Sequence, residues 1–167
     1  DYEHIITKLE ESAEERRAFI ARFLVPITER LDRLGMKYHV KSRTKSIFSI
    51  WTKMHKQHVP FEGVYDIFAL RIILDCPPEE EKTQCWAVYS IVTDYYIPNT
   101  ERLRDWISIP KSNGYESLHT TVSAGGGRWV EIQIRTERMD AVAERGIAAH
   151  WRYKGVNQGA LTSEMWL

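Results

Sequence analysis

Apolar residues recur at helical spacing through the N-terminal part of the chain: Ile5, Ile6, Leu9, Ala13, Phe19, Ile20, Phe23, Leu24, Ile27, Leu31 and Leu34. The pattern predicts one long helix or two in sequence over residues 3–34, with Pro26 kinking or dividing it. Gly35 ends it as the residue after the cap. Met36 to Val40 alternates with Lys37 and His39, which predicts a short strand. Ser46 can cap a helix over 47–57, and Val59 to Gly63 reads as a loop. Ile67 to Leu74 is an apolar, β-branched run, a buried strand ended by Cys76-Pro77-Pro78. Residues 79–94 read as a helix, and 95–117 as irregular, with Pro98, Pro110 and Asn113-Gly114 as turn signals. Leu118–Ser123 and Arg128–Thr136 make a hairpin around Ala124 and Gly125-Gly126-Gly127, and residues 137–152 a last helix. The order gives an α/β or α+β domain: a mixed β-sheet of about five strands flanked by helices, with an N-terminal helical segment. The expected domain is 1–153, with helices at 1–34 and a linker or tail at 154–167.

The length of 167 residues suits one domain with its own core, and 43% hydrophobic with 28% charged residues excludes general disorder. No apolar run approaches a membrane span, and the acidic N-terminus does not read as a signal peptide. With only Cys76 and Cys85 there is no disulfide framework, so the expected compartment is the cytoplasm. Lys plus Arg equals Asp plus Glu, 23 each, so bulk attraction to nucleic acid is not expected.

That balance hides an asymmetry. From Arg33 to Phe61 there is no acid, while Arg33, Lys37, Lys41, Arg43, Lys45, Lys53 and Lys56 interleave with Ile47, Phe48, Ile50, Trp51 and Met54. A solvated basic face is the ordinary reading of such a run; a packed element presenting cations to a polyphosphate is the other. Along Val130 to Arg135, alternation puts Glu131, Gln133 and Arg135 on one sheet face, an exposed polar surface or a ligand floor. Arg71 interrupts an apolar strand and needs either an ion pair or a ligand. Asp66 and Glu131 are acids at strand positions that suit magnesium. No zinc spacing, Walker sequence or nucleophile elbow occurs, so phosphate binding falls to side-chain cations. The segment 102–121, with Arg102, Arg104, Lys111, Asn113, Tyr115 and His119, is longer than structural loops usually are. Tyr115 beside Asn113-Gly114 is suited to stacking on a base.

Five motifs stand in order: R-x-K-S-I-x-S-I at 43–50, D-x-x-A-L-R-I-I at 66–73, P-K-x-N-G-Y-x-S-L-H-T-T at 110–121, V-E-I-Q-I-R-T-x-x-M at 130–139, and A-E-x-G-I-A-A-H-W-x-Y-K at 143–154. Together they resemble the synthetase domain of the RelA/SpoT-type (p)ppGpp synthetases. The resemblance implies a nucleotidyltransferase-like fold and transfer of pyrophosphate from ATP to the 3′-hydroxyl of GDP or GTP, leaving AMP. It implies that Arg43 and Arg71 sandwich the adenine, and that Lys45, Ser49 and Lys53 hold ATP phosphates. Asp66 and Glu131 would bind Mg2+, Glu131 also taking the proton of the 3′-hydroxyl. Tyr115 would stack on guanine near Asn113 and His119, Gln133 would order the acceptor, and Arg102 and Arg104 would meet its phosphates. The basic pair Arg102 and Arg104 resembles the bifunctional subtype, with Arg where that subtype carries Lys. No His-Asp pair of the family's hydrolase domain is present, which implies a synthetase unit from a longer bacterial protein. Ribosome contact would then belong to regulatory domains outside this chain. Two rivals stand beside this reading: a transferase of AMP, which usually needs a D-x-D pair where residues 66–68 read Asp-Ile-Phe, and a non-catalytic nucleotide or RNA binder.

Overall fold

The computed structural model describes residues 2–44 and 68–154. The first helix, α1 (Tyr2–Arg33), is continuous and carries Pro26 within it. An interior proline costs about 3 kcal/mol in an isolated helix, but Phe23, Ile27 and Leu31 are buried on either side of it and hold the axis. The helix therefore is not divided. Gly35 adopts φ +70° and donates to Asp32 O, while Met36 N reaches Leu31 O, the paired bonds of a Schellman stop.

Among the described residues six strands form one mixed sheet: β1 (Tyr38–Thr44), β2 (Phe68–Leu74), β3 (Ile97–Pro98), β4 (Arg104–Asp105), β5 (Leu118–Gly125) and β6 (Arg128–Thr136). Their order is β1-β2-β6-β5-β3, with β4 also on β5. Only β2 and β6 run parallel. Two further helices are described, α2 (Glu81–Tyr95) and α3 (Glu137–Lys154). The hairpin turn has φ +62° at Gly126 and +75° at Gly127, positive at both central positions as a type I′ turn requires.

Two expectations are corrected. The stretch 95–117 is not wholly irregular: the two short strands β3 and β4 take up successive parts of the free edge of β5 and raise the strand count to six. The first strand starts and ends later than alternation suggests, because Lys41, Ser42, Arg43 and Thr44 continue the ladder without an apolar face. The expected helix over 47–57 and loop at 59–63 lie outside the described residues.

The sheet has two unlike faces. Leu70, Ile72 and Leu74 of β2, Val130, Ile132 and Ile134 of β6, and Leu118 and Val122 of β5 point to one side. There they pack with Phe19, Phe23, Ile27 and Leu31 of α1 and Cys85, Val88, Ile91 and Val92 of α2. Phe23 stacks on Tyr96 at 4.2 Å, and Tyr96 Oη donates to Phe23 O, tying the end of α2 to α1. Residues at the alternate positions of the same strands point the other way, and apart from Ala69, Ile73 and Trp129 they are polar.

Candidate active site

Register defines the second face. In the parallel ladder Ala69 sits beside Glu131, Arg71 beside Gln133 and Ile73 beside Arg135. The antiparallel ladders add Lys41 beside Arg71, Arg43 beside Ala69, His119 beside Gln133, Thr121 beside Glu131, and Arg104 beside His119. One surface thus gathers the backbone positions of Lys41, Arg43, Arg71, Arg104 and Arg135, of His39 and His119, and of one glutamate and one glutamine. It is not an exposed polar surface: Arg71 is 4% exposed, Glu131 8%, Gln133 0% and Arg135 2%. Burying charge at this density is costly unless the groups are paired or serve a ligand.

The pairing is partly visible. Arg71 Nη1 donates to Asp140 at 3.1 Å and Glu144 at 3.3 Å, both on α3. Arg135 Nη2 donates to Gln133 Oε1. Arg135 Nε lies 3.6 Å from Asp140, and among the described residues neither Nε nor the buried Nη1 makes a hydrogen bond. Lys41 Nζ is 3.9 Å from Asp140.

The segment after β4 closes over this floor. Asn113 Oδ1 accepts from Tyr115 N, and Gly114 takes φ +88°, so the Asn-Gly pair turns the chain and presents Tyr115 inward. The Tyr115 ring lies 5.5 Å from the Arg135 guanidinium, and its hydroxyl shares a 2.7 Å hydrogen bond with His119 Nε2. Lys111 Nζ lies 4.7 Å from the centre of the Trp106 ring and 5.7 Å from that of Tyr115. Glu116 then anchors the segment through paired bonds to Arg138, which also grips Glu81.

Electrostatics follow from this crowding. Burial, helped by Arg135, Lys111, Arg71 and Arg104, pulls the His119 imidazole down to about 3, so it is neutral in ordinary buffers. Burial raises the Tyr115 phenol despite the nearby Arg135, so its hydroxyl keeps its proton. Burial likewise lowers the Arg135 guanidinium. The result is a positive, partly desolvated face, suited to phosphate.

The structure therefore brings together Arg71, Tyr115, His119, Glu131 and Gln133. Arg43 has its backbone on the same face. Lys45, Ser49, Lys53 and Asp66 lie outside the described residues. Asn113 contributes a turn-forming bond, and Gln133 is wholly buried, holding Arg135. Arg104 is folded onto its own segment, Nη1 donating to the carbonyls of Glu101 and Leu103, both at 2.9 Å. Asp105 accepts instead from Ile107 N and Ser108 N.

The pattern described as the region found in RelA / SpoT proteins matches residues 42–158. The chain belongs to the RelA/SpoT family. It is 37% identical over its whole length to a guanosine-3′,5′-bis(diphosphate) 3′-pyrophosphohydrolase of Aquifex aeolicus, of which it spans 24%. It is 38% identical to a GTP pyrophosphokinase of Escherichia coli K12 over 92% of this chain and 20% of that protein. Among solved structures, small alarmone synthetase 2 of Bacillus subtilis superposes with a TM-score of 0.63 at 26% identity, covering 95% of this chain and 86% of that one.

Two residues of this RelA/SpoT region, Asp140 and Arg138, belong to the site without having been singled out in advance, while Arg135 and Lys111 were named from the sequence but given no role in the site. Arg135 shares the alternation of Glu131 and Gln133, and Lys111 lies inside the 110–121 motif, so both carried a signal. Asp140 and Arg138 sit among the ordinary charges of a helix start, and only the packing of α3 shows what they touch.

Proposed function

We propose that the chain is a (p)ppGpp synthetase unit, moving the β,γ-pyrophosphate of ATP onto the 3′-oxygen of GDP or GTP. The observation that carries this reading is the buried cationic floor of Arg71 and Arg135 with Glu131 in its midst, roofed by Tyr115. Cations meet phosphates, the carboxylate meets the nucleophile, and the aromatic meets a base.

In this reading Glu131 takes the proton of the 3′-hydroxyl as its oxygen bonds to the β-phosphorus. The bond from that phosphorus to the α,β-bridging oxygen breaks, and AMP leaves with that oxygen. Positioning and charge neutralisation supply most of the acceleration in such transfers. Arg71 and Arg43 take the adenine, Lys45, Ser49 and Lys53 the ATP phosphates, and Arg102 and Arg104 the acceptor phosphates. Tyr115 stacks on guanine, with His119 holding its hydroxyl and Gln133 holding Arg135 beneath it.

The donor chemistry fits magnesium: Glu131 offers hard oxygens within a phosphate-seeking face. Glu131 together with Asp66 would hold the ion, which when bound neutralises the triphosphate. No described helix is long and apolar enough to cross a membrane, and we place the protein in the cytoplasm, where its nucleotides are.

A single-turnover reaction of the protein with ATP, GDP and magnesium, resolved by nucleotide chromatography, tests the reading. AMP and a guanosine tetraphosphate are expected. Release of pyrophosphate with an adenylylated product makes the protein an AMP transferase instead, and unchanged nucleotides remove the activity.

A further inference from the structure

Asp140 stands where two arginines of the floor meet. Its carboxylate is 3.1 Å from Arg71 Nη1, 3.6 Å from Arg135 Nε and 3.9 Å from Lys41 Nζ, and its side chain is 14% exposed. The two arginines sit on adjacent strands, and Arg135 lies beneath the Tyr115 ring. Arg71 meets Asp140 through a hydrogen bond from Nη1, and Arg135 approaches it through Nε as an ion pair. A planar guanidinium held by its edge keeps its faces for stacking. The Tyr115 ring lies 5.5 Å from the Arg135 guanidinium, and the synthetase reading gives Arg71 the matching role toward a purine.

We propose that Asp140 is a positioning residue that joins the two nucleotide pockets, fixing the stacking planes of Arg71 and Arg135 together. The proposal rests on the synthetase reading above. Glu144 makes a useful contrast, because it reaches Arg71 at 3.3 Å and is 56% exposed, with no bond to Arg135 among the described contacts.

A charge-neutralising role makes the opposite prediction. Asp140 removes repulsion between neighbouring cations, so deleting its charge would raise the positive potential and tighten both anionic nucleotides. A positioning role loosens both, because the arginine planes lose their reference. Lengthening the side chain with the charge kept also separates the two roles.

The experiment is calorimetric titration of wild type, Asp140→Asn, Asp140→Glu and Glu144→Gln with a non-hydrolysable ATP analogue and, separately, GDP, each with magnesium, alongside melting temperatures. Asp140→Asn and Asp140→Glu are expected to weaken both nucleotides at least fivefold. Glu144→Gln is expected to weaken the ATP analogue alone, leaving GDP within twofold. Tighter or unchanged binding in Asp140→Asn overturns the proposal, as does a loss confined to one nucleotide. If Asp140→Asn does not fold, Asp140→Glu decides: wild-type affinities in that variant overturn the proposal. Binding of neither nucleotide by folded wild type brings down the synthetase reading and this proposal with it, whereas tight wild-type binding with an indifferent Asp140 removes this proposal alone.

Discussion

The two faces of one sheet are built from alternate residues of the same strands, yet they solve different problems. On the helix-covered face, Ile72, Ile132 and Ile134 are fully buried among the side chains of α1 and α2, and any apolar group of similar volume would do nearly as well. On the other face, Arg71, Glu131, Gln133 and Arg135 are equally hidden, but each needs particular partners. Burial is the gain on the first face and a cost on the second. A fold keeps a buried charged face where that face does something, so removing a side chain should hurt stability on one side and chemistry on the other.

The largest effect expected from breaking this contrast is at Glu131. Glu131→Gln keeps the shape and removes the base, so the synthesis rate should fall by roughly 10²–10⁴-fold, with the melting temperature little changed. Its neighbour Ile132→Ala should do the reverse, costing about 2–5 kcal/mol of stability while the folded fraction keeps its rate. Chemical denaturation and initial rates on both variants check the pair. A Glu131 variant that retains the wild-type rate would contradict the division between faces.

Tyr115 comes next, because it joins the floor to the loop. Tyr115→Ala should weaken GDP binding by the value of one stacking contact, about 1–3 kcal/mol, and spare ATP. Tyr115→Phe should keep the stacking but lose the bond to His119, and so bind GDP nearly normally. Titration with each nucleotide reads both variants, and equal losses for ATP and GDP would remove Tyr115 from the acceptor side.

Arg138 tests how the charged side is held rather than what it does. Its guanidinium pairs with Glu116 on the loop and with Glu81, which is buried and also accepts from Thr136 Oγ1 at 2.6 Å. Arg138→Met would leave Glu81 short of a partner, at about 1–3 kcal/mol for a buried polar group left unsatisfied. It would also free the loop that carries Tyr115. Urea denaturation should show the stability loss, and the KM for GDP should rise more than that for ATP. Equal KM changes would mean that Glu116 does not set the loop.

How much of this was legible before any coordinates depended on the kind of order involved. Helix periodicity located α1 within a residue or two, a continuous apolar run located β2, and alternation after a glycine-rich turn located β6, because burial on the helix-covered face imposes a repeat. Alternation also put Glu131, Gln133 and Arg135 on one face. It left open whether that face was solvated, since burial there comes from long-range packing and not from the strand itself. The second half of β1 was missed because Lys41 to Thr44 offer no apolar alternation, and β3 and β4 because strands of two residues are too short for a period. Asp140 and Arg138 were invisible for the same reason: a helix start rich in charges gives no hint of which charge finds which partner across the fold.

The smallest expected effect concerns His119, where the two kinds of order meet on β5 between buried Leu118 and Thr120. The imidazole titrates at about 3 in the folded protein, chiefly because burial penalises its charged form, against roughly 6.5 in an unfolded chain. Above pH 6.5 it is neutral in both states and adds no pH dependence. Below that, the unfolded chain takes up a proton that the folded chain refuses until the pH approaches 3. Stability therefore falls as the pH is lowered across this window. His119→Gln removes the titration, so its stability should decline less between pH 7 and pH 4, although its value at pH 7 drops through loss of the bond to Tyr115. Carboxylates titrate in both proteins and cancel in the difference. Urea unfolding of the two proteins at several pH values across the window reads that difference directly. Curves that run parallel would mean that His119 takes up its proton as readily folded as unfolded, and the charged face would then be wetter around β5 than its packing indicates.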